Sequence, residues 1–319
     1  MNSVVAKVPL KLTLFGEHAV VYKRPALAFT TSESLTVKVK ESSKFLLKSD
    51  SLRFTGASVD LDSLTLESPE AGRLVEYVVA TLKHFHVKRP LEVEIQSTVE
   101  PSVGMGTSAA VVVGMVAALS HYLGFNFSKD EIARTSYEIE LEVQGLGSKM
   151  DTFTETIGGI IYFRRDGTYE VLPERKIPIV AGYMPRTTTT KQLLHKVKSL
   201  MEREPKLFND LMELMGNVTE RAKDLIVKED YENLSLLAPF SHGLLSALGV
   251  TNSSIDEFVS RAKELGVGCK VSGGGAGGSL LCVTKDPYSS LQAKSLLLSF
   301  GAKIVDSNPT FTGVYTSFI

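Results

Sequence analysis

The sequence predicts an α+β fold of two domains, residues 1–170 and 171–319. The length is the first reason, because 319 residues exceed the usual size of one domain. Short β-branched segments that partly alternate apolar and polar residues fill much of the first half, and they indicate a mixed or antiparallel sheet with helices. After Gly167 long helical patterns dominate, so we expect an α/β sandwich in the second half.

Charge and apolar patterning exclude several classes of protein. The 35 basic and 36 acidic residues give a net charge of −1, which argues against a nucleic-acid partner or a membrane-surface role. The longest apolar run, 109–119, is too short to span a bilayer, and Lys7 and Pro9 make the N-terminus a poor signal peptide. Cys269 and Cys282 can form at most one disulfide, so we expect a cytoplasmic protein.

In the first half, local patterns predict strands, capped helices and one strongly apolar helix. Pro69 follows Ser68 as the first-turn residue of a helix, and the alternation of 91–95 is typical of a strand with one buried face. The expected strands are 3–15, 26–40, further short strands within 43–65, 91–95 and 160–163; the expected helices begin at Ser68 and span 107–123, 128–144 and 148–157.

In the second half, the same patterns predict helices first and then alternating elements. We expect about four helices within 190–265 and another at 286–299. The expected strands are 177–183, 268–272, 279–284, 302–306 and 312–318. The sequence leaves open to which domain the final strand returns.

A glycine turn at 104–106 joins a predicted strand to the apolar helix. Its glycines let backbone amides approach an anion, and the helix N-terminus adds unpaired N–H groups, so the turn is a candidate phosphate site. The alternative is a plain tight turn with Thr107 as the helix N-cap. No Walker lysine follows, and a dinucleotide-binding loop is disfavoured because another helix, rather than a strand, comes next.

Two acids, Glu140 and Asp151, flank a break made by Gly145 and Gly147. Near a phosphate loop, one carboxylate can hold Mg²⁺ while the other accepts a proton. The alternative is a capping box in which Ser148 and Asp151 bind backbone amides at a helix start.

Two further segments have unusual composition. Five of the six residues 273–278 are glycine, which indicates a close approach of this backbone to another group; a flexible hairpin is the alternative. Lys11, Glu17 and His18 lie within an apolar stretch, and semi-buried charges usually have a partner or a task.

Together these segments resemble the three motifs of the GHMP kinase superfamily, in the family's order: 11–22, 101–110 and 272–278. The run from Lys11 to Tyr22 looks like the mevalonate kinase branch, and the resemblance covers nearly the whole chain. It implies a two-domain GHMP kinase fold with the active site in the cleft between the domains. It also implies ATP as cosubstrate, Mg²⁺, and phosphorylation of the C5 hydroxyl of (R)-mevalonate to 5-phosphomevalonate in isoprenoid biosynthesis. Members of the family are often dimers, which leaves a homodimer open.

The resemblance also implies residue roles. Lys11 and Asp151 match the catalytic lysine and base, and Glu140 and Ser108 match the Mg²⁺ ligands. The substrate-side matches are Glu17, His18, Thr188 and Thr190, although the register of the threonine run is ambiguous. The implied phosphate contacts are Pro101, Ser102, Val103, Gly104, Met105, Gly106, Thr107, Ser108, Ala109, Gly274 and Gly275.

Four positions depart from the family pattern. Lys23 and Lys149 stand where the family usually or often has glycine, Thr107 replaces a serine, and Ala276 interrupts the third motif. Three competing functions remain: a related kinase acting on phosphomevalonate or homoserine, an ATP-dependent decarboxylase of the same fold, and a non-catalytic ligand sensor.

Overall fold

The computed structural model describes residues 3–49, 54–58, 72–184, 188 and 190–319. Within these residues the strands alternate with helices in the way the sequence predicts for an α+β protein. The strands are β1 (Val4–Phe15), β2 (Ala26–Glu41), β3 (Leu46–Ser49), β4 (Phe54–Ser58), β5 (Leu91–Ser97), β6 (Ile160–Phe163), β7 (Tyr169–Val171), β8 (Ile179–Met184), β9 (Gly268–Val271), β10 (Gly278–Val283), β11 (Lys303–Val305) and β12 (Tyr315–Phe318).

The helices agree closely with the predicted segments, including four within 190–265. They are α1 (Gly72–His84), α2 (Thr107–Tyr122), α3 (Lys129–Gln144), α4 (Met150–Ile157), α5 (Thr190–Arg203), α6 (Pro205–Val227), α7 (Tyr231–Ala247), α8 (Ser253–Glu264) and α9 (Pro287–Ser299), with a short 3-10 helix at Ala19–Tyr22. The predicted helix start at Ser68 lies outside the described residues. Strand β7 was not predicted, because three partly exposed residues carry too little pattern.

Two sheets organise the described chain. The first has the order β12-β1-β2-β5-β3-β4, with β6 paired to β2 and β7 paired to β6. The second is antiparallel, with the order β11-β8-β10-β9. The open question about the final strand is settled: β12 pairs with β1, with Val4 opposite Phe318, so the C-terminus returns to the first sheet.

Helix α2 fixes the position of the glycine turn. It is apolar on nearly all sides because it is packed between β1 and β2 on one side and α1, α3 and α4 on the other. Gly114 permits this contact, since a Cβ there would lie 2.5 Å from the Val37 side chain. The rigid core therefore holds the N-terminus of α2 at one place.

In the second sheet, Cys269 of β9 lies opposite Cys282 of β10, and the two form the one disulfide that the sequence allowed. Both residues are buried.

None of the helices in the described ranges has the length and apolar character needed to cross a bilayer.

Candidate active site

A cleft of about 920 Å³ receives residues from all three predicted motifs. The glycine turn, α3 and the start of α4 line one part of it, and the 3-10 helix, α5 and the third motif line another. Its volume suits a nucleotide-sized ligand. The structure therefore brings the separate motifs together in one place.

Lys11 and Asp151 form the charged pair at this cleft. The Lys11 ammonium lies 2.9 Å from Asp151 Oδ1 and donates a second bond to Thr13 Oγ1 at 3.1 Å. Lys11 is 2% exposed and Asp151 is 31% exposed, so the carboxylate connects a buried cation to the open cleft. The capping box is not formed, because Lys149 is the N-cap of α4 and makes no side-chain cap bond.

The glycine turn presents its backbone to the cleft. Gly104 and Gly106 have φ values of 87° and 79°, which favour glycine, and Gly106 rather than Thr107 is the N-cap of α2. Thr107 Oγ1 instead accepts a bond from the Ser102 N–H. The Lys11 N–H donates to Met105 O at 3.1 Å, so the turn is tied to strand β1.

The implied phosphate contacts divide into two groups. Those that line the cleft are Ser102, Gly104, Gly106, Thr107, Ser108, Ala109 and Gly274. Pro101, Val103, Met105 and Gly275 are not among the described residues that line it.

The third motif packs against the other two. Ser279 Oγ donates to Val103 O at 2.8 Å, and Ser272 Oγ is bonded to both backbone groups of Thr13 at 2.9 Å. Gly275 faces away from the cleft, because a Cβ there would lie 2.0 Å from Val250 O. These hydroxyl bonds hold the third motif against both the glycine turn and β1.

Glu17 and His18, at the end of the first motif, reach the same third motif. The Glu17 carboxylate accepts a hydrogen bond from the Lys270 ammonium, and both side chains are fully buried. Burial raises the pKa of Glu17 and lowers the pKa of Lys270, while their mutual attraction acts against both shifts. His18 Nε2 lies 2.9 Å from Gly274 O. Both Glu17 and His18 line the cleft.

Glu140 lies on α3 with its carboxylate buried beside the cleft. Gln144 Nε2 donates to Glu140 Oε1 at 3.0 Å and lies 2.7 Å from the Tyr77 hydroxyl, which holds the carboxylate in place. Burial first, and then the charge of Asp151, raises the pKa of Glu140 to about 8. A buried carboxylate next to a second one is stabilised by a cation.

The donors therefore fit a magnesium ion bound together with phosphates. Glu140 and Ser108 supply a carboxylate and a hydroxyl oxygen, both of which suit this hard cation. The described residues contain no cluster of three or more His, Cys, Asp or Glu side chains that could hold a metal alone. Magnesium is commonly bound by one or two protein ligands plus substrate phosphates, which is the arrangement these residues allow.

The threonine run is described only in part. Thr188 lines the cleft, and Thr190 begins α5, but its side chain is outside the described residues. Helix α5 also contributes His195 and Lys198, which the sequence analysis did not identify.

The departures from the family pattern have local explanations. Lys23 ends the 3-10 helix with a φ of 58°, a conformation in which glycine is favoured. Lys149 has ordinary helical backbone angles and lies over the Phe153 ring at 5.7 Å, so it needs no glycine. Neither lysine is among the described residues that line the cleft.

Sequence reasoning also missed Lys270, which binds Glu17, and Thr13 and Glu155, which lie beside Lys11. Lys270 lies between apolar residues of a strand, as Lys11 does, and that likeness was the available signal. Glu155 follows Asp151 by one helical turn, which places both on one face of α4.

Comparison with known proteins identifies the family of the chain. Residues 73–159 match the model of the GHMP kinases N terminal domain, and residues 222–302 match that of the GHMP kinases C terminal domain. The chain is 51% identical over 317 residues to a mevalonate kinase of Saccharolobus solfataricus, with 99% of each chain covered. It is 31% identical to a mevalonate kinase of Thermococcus sibiricus, with 95% of each covered.

The fold is also similar to solved structures. The mevalonate kinase of Methanococcus jannaschii has a TM-score of 0.78 at 21% identity, covering 97% of this chain and 98% of that one. The L. major mevalonate kinase in complex with R-mevalonate has a TM-score of 0.75 at 20% identity, covering 98% and 94%. The expected GHMP kinase fold is thereby confirmed, and the full-length sequence match shows that the chain belongs to the mevalonate kinase family.

Proposed function

We propose that this kinase transfers the γ-phosphoryl group of ATP to the C5 hydroxyl of (R)-mevalonate and produces 5-phosphomevalonate for isoprenoid biosynthesis. The observation that carries the proposal is the Lys11–Asp151 pair, which joins a buried ammonium to a carboxylate facing the cleft. The 51% identical relative is a mevalonate kinase over its full length, which supports the choice of substrate.

In the proposed reaction, Asp151 accepts the proton of the attacking hydroxyl. The Lys11 ammonium lies 2.9 Å away and holds this carboxylate at the cleft. The same ammonium lowers the pKa of a hydroxyl placed beside it and stabilises the charge that develops on the transferring group. Phosphoryl transfer depends mainly on such positioning and charge stabilisation.

The nucleotide phosphates are expected to lie against the glycine turn. The N–H groups of the turn and the N-terminus of α2 point a partial positive charge toward an anion there. Ser108 and Glu140 would hold Mg²⁺, which supplies neutralisation of phosphate charge when it is bound. The Gln144 bond keeps the Glu140 carboxylate oriented for this role.

The substrate is expected at the other part of the cleft. His18 is held by Gly274, so its ring presents a fixed face to the cleft. Glu17, Thr188 and Thr190 remain proposed substrate-side residues. For Glu17 the buried bond to Lys270 supports a role that shapes the site.

A coupled assay of ADP release tests the substrate directly. Mevalonate, phosphomevalonate and homoserine are compared, and inorganic phosphate is measured to detect decarboxylation. We expect ADP with mevalonate and no release of phosphate. Preference for another substrate, or phosphate release, would favour a related kinase or a decarboxylase, and the absence of ADP with every substrate would favour a sensor.

The residue roles are tested with Asp151→Asn and Lys11→Ala. Both should lose most turnover while the fold survives, because one removes the base and the other the ammonium beside it. Asp130→Asn is a matched control, since Asp130 forms an exposed i,i+4 pair with Arg134 on α3. Wild-type turnover in either site variant would refute the assigned roles.

We also infer a domain boundary near residue 170, a cytoplasmic location and ATP as the nucleotide. The two family models match on either side of residue 170, which supports the boundary. A homodimer stays open, and light scattering of the purified protein measures the oligomeric state. Cell fractionation measures the location.

A further inference from the structure

Glu155 is a buried carboxyl group beside the catalytic pair that the proposed reaction does not use. Its side chain is 0% exposed, and neither carboxyl oxygen has a hydrogen-bond partner in the described part of the chain. Such a group is costly to bury, whereas leucine at the same place would not be. The position of the carboxyl group therefore calls for an explanation.

The carboxyl group lies directly behind the glycine turn. A Cβ built on Gly106 would be 2.1 Å from Glu155 Oε1 and 3.2 Å from Lys11 Cε. Glu155 thus occupies the space that a side chain at position 106 would need, and it lies next to the stem of Lys11. Asp151 is one turn earlier on the same helix.

The charges that face Glu155 come from three elements. Asp151 lies on its own helix α4, Glu140 lies on α3, and Lys11 lies on β1. Burial, followed by the charge of Asp151, raises the pKa of Glu155 well above its ordinary value, and Glu140 adds to the effect while Lys11 opposes it. Burial and the neighbouring carboxylates therefore favour the neutral form of this carboxyl group.

The neutral form is the one compatible with the catalytic pair. An ionised Glu155 would compete with Asp151 for the Lys11 ammonium and would repel phosphates at the turn. A neutral acid fills the same volume and leaves the ammonium on Asp151, as observed.

We propose that Glu155 is a positioning residue for phosphoryl transfer: its carboxyl group supports Gly106 from behind and keeps the Lys11 ammonium directed at Asp151. This inference rests on the proposed function, because it acts through the two residues assigned to proton transfer. It adds a third carboxyl group to the site, with a role that depends on its shape and not on its charge.

The test compares Glu155→Gln, Glu155→Leu and the control Thr154→Val. Thr154 is also fully buried on α4, and its hydroxyl likewise has no partner in the described chain. Circular dichroism and thermal denaturation establish first that each variant is folded. Wild-type activity with mevalonate is measured separately and tests the proposed substrate. The role of Glu155 is judged only by the turnover of each variant relative to the wild type, so the two proposals can fail independently.

Near neutral pH, Glu155→Gln should retain turnover close to that of the wild type, because glutamine has the same shape and no charge. Glu155→Leu should lose about 10²-fold in kcat, since a small misplacement of a catalytic group has an effect of this size. The KM for ATP should change little, and Thr154→Val should behave like the wild type. Loss of turnover in Glu155→Gln, or full turnover in folded Glu155→Leu, would overturn the proposal.

The alkaline pH profile gives a readout that a purely structural role would not affect. Wild-type turnover should fall as Glu155 ionises, and Glu155→Gln should lack that part of the fall. A ¹³C NMR titration of glutamate-labelled protein, with Glu155→Gln used for assignment, should show a carboxyl group still protonated near neutral pH. Identical pH profiles, or an ionised Glu155 at neutral pH, would contradict the inference even if Glu155→Leu did not fold.

Discussion

Replacing Lys270 with methionine should lower the free energy of unfolding by about 3–5 kcal/mol, because it would leave the Glu17 carboxylate buried without its cation. Both side chains are fully buried. The loss is a large fraction of the stability of an ordinary domain, which is about 5–15 kcal/mol.

The magnitude follows from what each group would lose. Lys270 donates to the Glu17 carboxylate and to Val271 O at 2.7 Å, and its ammonium lies 5.5 Å from the centre of the Phe15 ring. Glu17 Oε2 has no hydrogen-bond partner among the described residues, so the carboxylate depends on Lys270 for compensation. Removing Glu17 alone should be comparably harmful, because the ammonium would then be buried without a carboxylate.

A double-mutant cycle with Glu17→Met, Lys270→Met and the double variant measures the coupling. Urea denaturation should show a large loss in each single variant and recovery of most of it in the double variant, where two apolar side chains of similar volume replace the ions. Single variants within about 1 kcal/mol of the wild type, or a double variant with additive losses, would refute the reasoning. Turnover of the folded double variant then separates a substrate role of Glu17 from its part in the ion pair.

Three further predictions concern stability. The free energy of unfolding of the metal-free protein should fall as pH rises from 4.5 to about 8, because folded Glu140 keeps a proton that the unfolded chain has released. Urea denaturation at several pH values measures this slope, and Glu140→Gln should remove it. Gly275→Ala should lower the melting temperature far more than Gly124→Ala. Both glycines have positive φ, but only at Gly275 would the new Cβ lie 2.0 Å from a backbone oxygen, that of Val250. Equal shifts in melting temperature would contradict this. Breaking the disulfide that joins β9 to β10 should lower the free energy of unfolding by about 3 kcal/mol for a 13-residue separation, and identical denaturation curves with and without reductant would refute it.

Local patterns predicted most of the fold because they act over short distances. The amphipathic helix at 128–144 was predicted from its own periodicity, and the structure forms it with a capping box between Ser128 and Glu131 at its start. The apolar helix after the glycine turn was predicted as buried for the same reason. The partner of the final strand was not predictable, since pairing of β12 with β1 joins the two ends of the chain.

Local sequence patterns could not predict the long-range contacts of the site. Glu17 and Lys270 are 253 residues apart, and nothing in either segment specifies the other as partner. Glu155 was missed because a glutamate between threonines on a short helix looks like an exposed residue, and only the packing behind Gly106 buries it. The motifs indicated which residues share a site, while the partners that hold them appeared only with tertiary structure.

Charge balance at the site explains how a nearly neutral protein can bind a polyanion. Asp151, Glu140 and Glu155 lie close to one another and to Lys11. Of these four side chains, Lys11 alone is a cation. If all three acids were ionised, two negative charges would be left to oppose a triphosphate. A neutral Glu155 removes one of them, and a cation arriving with the nucleotide offsets the charge that Glu140 acquires when it releases its proton. ATP is therefore expected to bind far more tightly as its magnesium complex than alone, and Glu140→Gln should reduce that difference in calorimetric titrations. Equal affinity for ATP with and without magnesium would show that the acids are already compensated in the empty site.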